Sequence, residues 1–140
     1  MAREQILTWL VPVFLIFIIT LISIRRNSTR VSSCYRPGSI YSVIQGDVYQ
    51  VIKVIAVDSK VVHVRLYKNQ FIGRPYTVDV NELSLGTIND PDGFGIGHLP
   101  ISYKSFFRMQ PEFIAQSEDP SGEELEGYNI WKESRANSAW

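Results

Sequence analysis

The sequence predicts an α+β protein: a single N-terminal transmembrane helix, then a small antiparallel sheet or open barrel with short C-terminal helices. Three observations carry this. Residues 6–24, ILTWLVPVFLIFIITLISI, contain no charged side chain. Residues 48–67 are β-rich on both sides of a short polar turn. Ser102 and Ser121 stand where helix N-caps belong, the latter with Glu124 at capping-box spacing.

In chain order, residues 1–5 are a short tail and 6–24 an anchor. A helix of that length covers about 28 Å, close to the thickness of a hydrocarbon core. The segment has no polar face, which argues against a buried core helix. Its length, and the arginines that close it in place of a small-x-small cleavage site, argue against a removed signal peptide. Trp9 lies near one end, as an interfacial aromatic would, and Pro12 sits early, where a missing N–H costs least.

Residues 25–39 form a basic juxtamembrane stalk. Arg25, Arg26 and Arg30 are its membrane-interface residues, and Arg36 follows. The N-terminal flank offers only Arg3 and the α-amine, offset in part by Glu4. The positive-inside rule then places the short N-terminus outside and the rest of the chain in the cytoplasm, at an inner or plasma membrane; the opposite orientation puts the C-terminal domain in the periplasm or outside the cell. Val31-Ser32-Ser33-Cys34 resembles the lipobox of bacterial lipoproteins over four residues. Delivering Cys34 to the bilayer would drag three arginines toward hydrocarbon, so the lipoprotein reading is set aside. Cys34 is the chain's one cysteine, with palmitoylation or an intermolecular disulfide as its possible chemistry.

Residues 40–133 are the folded domain and 134–140 a flexible tail. Strands are expected at 40–44, 48–57, 61–67 and 76–80. Gly46-Asp47 and Asp58-Ser59-Lys60 supply the turns, and a loop starts at Lys68 with Phe71 and Ile72 tucked under it. In 61–67, Val62, Val64 and Leu66 share one face, while His63, Arg65 and Tyr67 share the other, expected to be exposed. Beyond the Gly-rich loop 93–97, Ser102 caps a short helix to Arg108 with Phe106 and Phe107 as its apolar face. Pro111 opens another helical turn over Glu112–Ile114. Ser121 starts the last helix, turning Leu125, Tyr128 and either Ile130 or Trp131 inward, with Gly127 weakening it by about 1 kcal/mol relative to Ala. The stretch GDVYQVIKVIAVDSKVVHVRLY resembles the opening hairpin of SH3-like and Tudor-like barrels, where Gly-Asp leads into a bent strand. That resemblance implies an SH3-like open barrel and carries no motif for function.

Catalytic and cofactor chemistry finds little support. Gly93-x-Gly95-x-Gly97 lacks the preceding strand, following helix and Lys-Ser/Thr of a phosphate loop. Asp90-Pro91-Asp92-Gly93 lacks the later oxygen ligands of a calcium loop and reads as a β-turn. Two histidines and a stalk cysteine make no zinc set. No cofactor, metal or catalytic residue is therefore assigned. The basic and acidic residues number 14 each, with the acids gathered toward the C-terminus, which disfavours nucleic acid as a partner.

These features point to a single-pass membrane protein of bacterial type whose domain binds a protein partner at the bilayer. An immunity or inhibitor protein and an accessory subunit of a membrane complex are the concrete versions. The partner-binding residues expected are Phe94, Ile96 and His98 in the Gly-rich loop, with His63, Arg65, Tyr67, Arg74 and Tyr76 on the sheet. Two alternatives are a membrane-tethered hydrolase using His98 with Asp90 or Asp92, and an SH3-like nucleic-acid or ligand sensor reading through Arg65 and Tyr67.

Overall fold

A computed structural model describes residues 35–138. The expected anchor at 6–24, the expected membrane-interface residues Trp9, Arg25, Arg26 and Arg30, and Cys34 lie outside the described residues. Among the described residues no helix is long and apolar enough to cross a membrane.

The fold is α+β: a five-stranded antiparallel open sheet followed by a C-terminal helix. Strands β1 (Ser39–Gln45), β2 (Val48–Val57) and β3 (Val61–Phe71) form a meander. β4 (Ile96–Ser102) joins the free side of β3, and β5 (Glu112–Gln116) the free side of β1, giving the order β4-β3-β2-β1-β5. A short helix α1 (Tyr103–Arg108) lies between β4 and β5, and α2 (Gly122–Asn137) ends the domain.

Turn chemistry sets the meander's register. Gly46, at φ 60, and Asp47 connect Gln45 to its partner Val48. At the second turn the Asp58 carboxylate accepts from the backbone N–H groups of Lys60 and Val61, both at 2.8 Å. The β-rich hairpin at 48–67 therefore forms as its sequence requires. β3 continues past the expected loop start at Lys68, because Gln70 and Phe71 pair with Gln50 and Tyr49. Register shifts interrupt β2–β3 twice, β3–β4 once and β1–β5 once. Such bulges bend a sheet and increase its twist.

Three local expectations are corrected. Tyr76–Val80 is not a strand: Pro75 removes a donor, and the segment crosses the sheet as a loop ending in a 3-10 turn at Val80–Glu82. Glu112–Ile114 is not helical: the segment pairs with β1, as in Tyr41↔Phe113 and Ser42↔Glu112. The chain after Glu133 stays helical to Asn137. The two N-caps are as expected. Ser102 accepts from the Ser105 N–H, and Ser121 and Glu124 complete a reciprocal capping box.

Both faces of the sheet are covered. One carries Tyr41, Val43, Ile52, Val54, Val62, Val64 and Leu66, closed by Ile101 and by Phe106 of α1. Phe107, expected beside Phe106 on that apolar face, points out and is 74% exposed. The other face carries Ile40, Val51 and Tyr67, packed by Phe71, Val78, Leu83, Leu85 and Ile114. His63 and Lys53 are also buried, and both bond or stack with side chains of α2 or β4. Among the described residues, no buried side-chain nitrogen or oxygen lacks a hydrogen-bond partner.

Candidate functional site

The docking of α2 organises one half of the site. Lys53, in the middle of β2, donates to both Glu124 oxygens at 3.1 and 2.9 Å. One of those oxygens also accepts from the Ser121 N–H at 3.0 Å, so a single carboxylate caps the helix and pairs a buried ammonium. Burial works to raise the Glu124 carboxyl, but the bond from Lys53, the Ser121 N–H and the charges of Lys53 and Arg65 prevail and hold it below the usual range.

Two turns further, α2 covers a histidine pair. His63 on β3 is fully buried, and His98 lies on β4 beside it. Their rings stack with centroids 5.2 Å apart, and His63 Nδ1 is 3.0 Å from His98 Nε2. The other His63 nitrogen, Nε2, is 3.2 Å from the Asp58 carboxylate. A carboxylate only accepts, so His63 Nε2 carries a proton. Which ring donates across the Nδ1–Nε2 contact depends on the tautomers of the two imidazoles. The result is a connected chain of His98, His63 and Asp58. Asp58 is held below the ordinary carboxylate range: desolvation opposes this, but the N–H of Lys60, the His63 bond and the N–H of Val61 outweigh it. His98 is pushed below the ordinary imidazole range, first by burial and then by His63.

Tyr128 and Trp131 of α2 lie edge-on to His63 at 4.8 and 4.5 Å. Gly127 makes this approach possible: a Cβ there would stand 2.6 Å from the His98 Cβ. Ile130, in contrast, points to solvent. Asp58, His63 and His98 thus form a packed connection between sheet, turn and helix. Among the described residues no group of three His, Cys, Asp or Glu side chains is arranged to hold a metal.

The other half is the segment joining β3 to β4. Its backbone is tied along the end of β3. The Lys68 N–H donates to the Ser84 carbonyl at 2.9 Å, the Ser84 N–H to Asn69 Oδ1 at 3.0 Å, and Asn69 Nδ2 to the Glu82 carbonyl at 3.1 Å. Leu83 and Leu85 pack onto the Tyr67 cluster. The Gly95 N–H donates to the Leu85 carbonyl at 2.7 Å, and a Cβ at Gly95 would collide with the Leu66 carbonyl oxygen. The Gly-rich stretch is therefore a tight backbone crossing. Asp90 is held by Lys68 at 2.7 Å and by Thr87 at 2.8 Å. The Lys68 bond, then Thr87, draws its carboxyl down to about 2.

This tied segment exposes apolar side chains. Among the described residues nine large hydrophobics are exposed, and six of them fall between 72 and 96: Ile72, Tyr76, Val80, Ile88, Phe94 and Ile96. Ile72, expected to be tucked away, is 94% exposed.

The expected partner face therefore divides. Phe94, Ile96 and Tyr76 are exposed as an interaction surface requires. His63 and Tyr67 are not on an open face, because α2 and the 78–85 segment cover that side of the sheet. Arg65 is half-buried and pairs across to Lys53. His98 belongs to the histidine pair and not to the exposed tips. Arg74 braces the domain. Its guanidinium donates to Ser42 Oγ and to the Gln110 carbonyl, both at 3.0 Å, and lies over the Tyr49 ring. The hydrolase grouping of His98 with Asp90 or Asp92 finds the His98 Nε2 engaged by His63 and the Asp90 carboxylate by Lys68 and Thr87. Ile72 differs from the expectation that it is tucked under the loop, and Ile88, to which the sequence reading assigns no role, is also exposed.

No protein-family model matches the chain, and neither the curated proteins nor the solved structures contain a significant match to it.

Proposed function

We propose that this is a membrane-anchored, non-catalytic interaction module that grips a protein partner through the segment joining β3 to β4. The observation that carries the reading is the combination of exposed apolar tips at 72–96 with a backbone tied over 79–95. A segment already ordered by Lys68, Asn69 and Leu85 loses little freedom on binding, so its apolar burial is available to the complex. An immunity or inhibitor protein, or an accessory subunit of a membrane complex, is the type of role this suits. The apolar run at 6–24 supports the anchor, and the arginines at 25, 26 and 30 support a cytoplasmic domain.

At the level of fold, we read the domain as an SH3-like open barrel. Support comes from the strand order, from the short helix between β4 and β5, and from the bulges that bend β2 and β3. The extra covering by α2 leaves the loops, not the sheet face, as the place for a partner.

The test is affinity capture of the full chain from its own membranes in mild detergent, comparing the native sequence with a Phe94→Ser, Ile72→Ser double variant. The expected result is one stoichiometric partner, lost in the variant at unchanged melting temperature. Equal capture by both proteins, or none by either, would sink the loop assignment.

A further inference from the structure

Two exposed aromatics lie outside the 72–96 segment: Phe107 on α1, 74% exposed, and Phe113 on β5, 59% exposed. We propose that these two, with Arg36, Lys104 and Arg108, form a surface by which the domain lies against the anionic headgroups of the membrane that anchors it. This rests on the anchor reading above and adds a second, peripheral contact made by the folded domain itself.

Three observations lead there. First, the composition is interfacial. Positions 104, 107 and 108 share one side of α1 by helical spacing, and all three are exposed, while Phe106 on the opposite side is fully buried. An aromatic flanked by two cations is the pattern of a helix lying in a headgroup layer. Second, the place is where the chain arrives. Phe107 lines a groove with Tyr35, Gln110, Pro111 and Glu112, and Tyr35 is the first described residue. Phe113 lies edge-on to Tyr41, and Tyr41 edge-on to Tyr35, at 5.7 Å in both contacts. Ten residues, 25–34, separate Ile24, where the apolar run ends, from Tyr35. A linker of that length reaches about 35 Å at most, so lipid is at high effective concentration for this end of the domain.

Third, the charge is complementary. Arg36, Lys104 and Arg108 are exposed and take part in no ion pair among those formed by the described residues. The one acid at the groove, Glu112, faces Arg74 at 3.6 Å. The cytoplasmic leaflet is the anionic one, which agrees with the orientation set by the stalk. Each added cation near such a surface favours association by about fivefold, and the three together by about a hundredfold.

The test uses the full chain in nanodiscs, with Cys34→Ser and a nitroxide on Phe107→Cys, and the same label on Ile88→Cys as a reference. Collision with a water-soluble nickel reagent is compared with collision with oxygen, in discs containing phosphatidylserine or only phosphatidylcholine. In anionic discs the label at 107 is expected to be shielded from nickel and reached by oxygen, while that at 88 stays open to nickel. Replacing Arg36, Lys104 and Arg108 by glutamine should abolish the shielding without lowering the melting temperature.

A label at 107 as open to nickel as that at 88 overturns the proposal. So does shielding that persists in uncharged discs and in detergent, since protein would then be covering Phe107: a second copy or the upstream segment. Alkaline carbonate extraction separates the two readings. A chain washed from membranes loses the anchor, whereas a retained chain with an open 107 loses only this surface.

Discussion

Gly127 sets two physical effects against each other. Helix propensity alone says that alanine there would stabilise α2 by about 1 kcal/mol. The packing says the opposite, because the new Cβ would press on His98. Overpacking of this kind costs about 1–3 kcal/mol, so Gly127→Ala should lower the midpoint of chemical denaturation. A raised midpoint would mean that the helix does not sit where described. The Lys53–Glu124 pair makes a second, ordered prediction. Glu124→Ala leaves an ammonium that is 8% exposed without its partner and also removes half of the capping box. Stranding a buried charge costs about 3–5 kcal/mol. Lys53→Met leaves Glu124 with the Ser121 N–H and should cost less. Denaturant titration of both variants gives the order. The sequence made the capping box legible, since Ser121 and Glu124 are local partners. It did not make Lys53 legible as the ion partner, because nothing in a β-rich run marks one lysine as buried.

At the scale of elements, α2 rests on a histidine pair, and this makes its docking respond to pH. His98 binds its proton less readily in the folded protein than in the unfolded chain. Its contribution is therefore complete above the unfolded value of about 6.5 and is lost as pH falls through that value toward the lower folded one. Asp58 is also held below its unfolded value, so its contribution is lost only at more acidic pH, below about 4. Stability against pH should thus decline in two separated steps. His98→Gln should remove the first and leave the second. Fluorescence of Trp131, which packs on His63, should follow the first step in the native protein. A flat profile between pH 7.5 and 5.5 would contradict the assignment.

The elements that could be read from the sequence are those closed by near neighbours. The hairpin of β2 and β3 is set by alternation and by Asp58. β5 is different: five residues after a proline resemble a helix start, and their strand character comes from β1. Ser39 and Gln116, which share a side-chain hydrogen bond, are 77 residues apart. Tyr76–Val80 errs the other way. Its alternation is real, with Val78 packed against the cluster of Ile40, Val51 and Tyr67, yet the partner is a face of the sheet and not an edge.

For the whole molecule as we propose it, orientation in the membrane decides which partners and which leaflet the domain can meet. Cys34 is the chain's one cysteine, so a membrane-impermeant thiol reagent reports its side directly. Labelling only after cell lysis is expected from the arginines that flank the apolar run; labelling of intact cells would place the domain outside. The two-faced burial of the sheet explains why His63 and Tyr67, expected on an open face, are buried. His63 and Tyr67 alternate with Val62, Val64 and Leu66 as surface residues do, and only the later α2 and the 78–85 segment bury them. Exposed tips such as Phe94 were legible because glycines on either side leave them no helix or strand to hide in.

The position of β1 has a mechanical meaning. Its start lies four residues beyond Tyr35, and it is bonded on both sides, to β2 and to β5. Tension arriving along the chain from residue 34 therefore enters the sheet at an interior strand. Two ladders of hydrogen bonds, lying across the strand axis, share the load in shear, whereas an edge strand could be peeled away one bond at a time. On the proposed reading, with an anchor upstream of residue 34 and a partner held by the domain, the pull between them would not unzip the sheet.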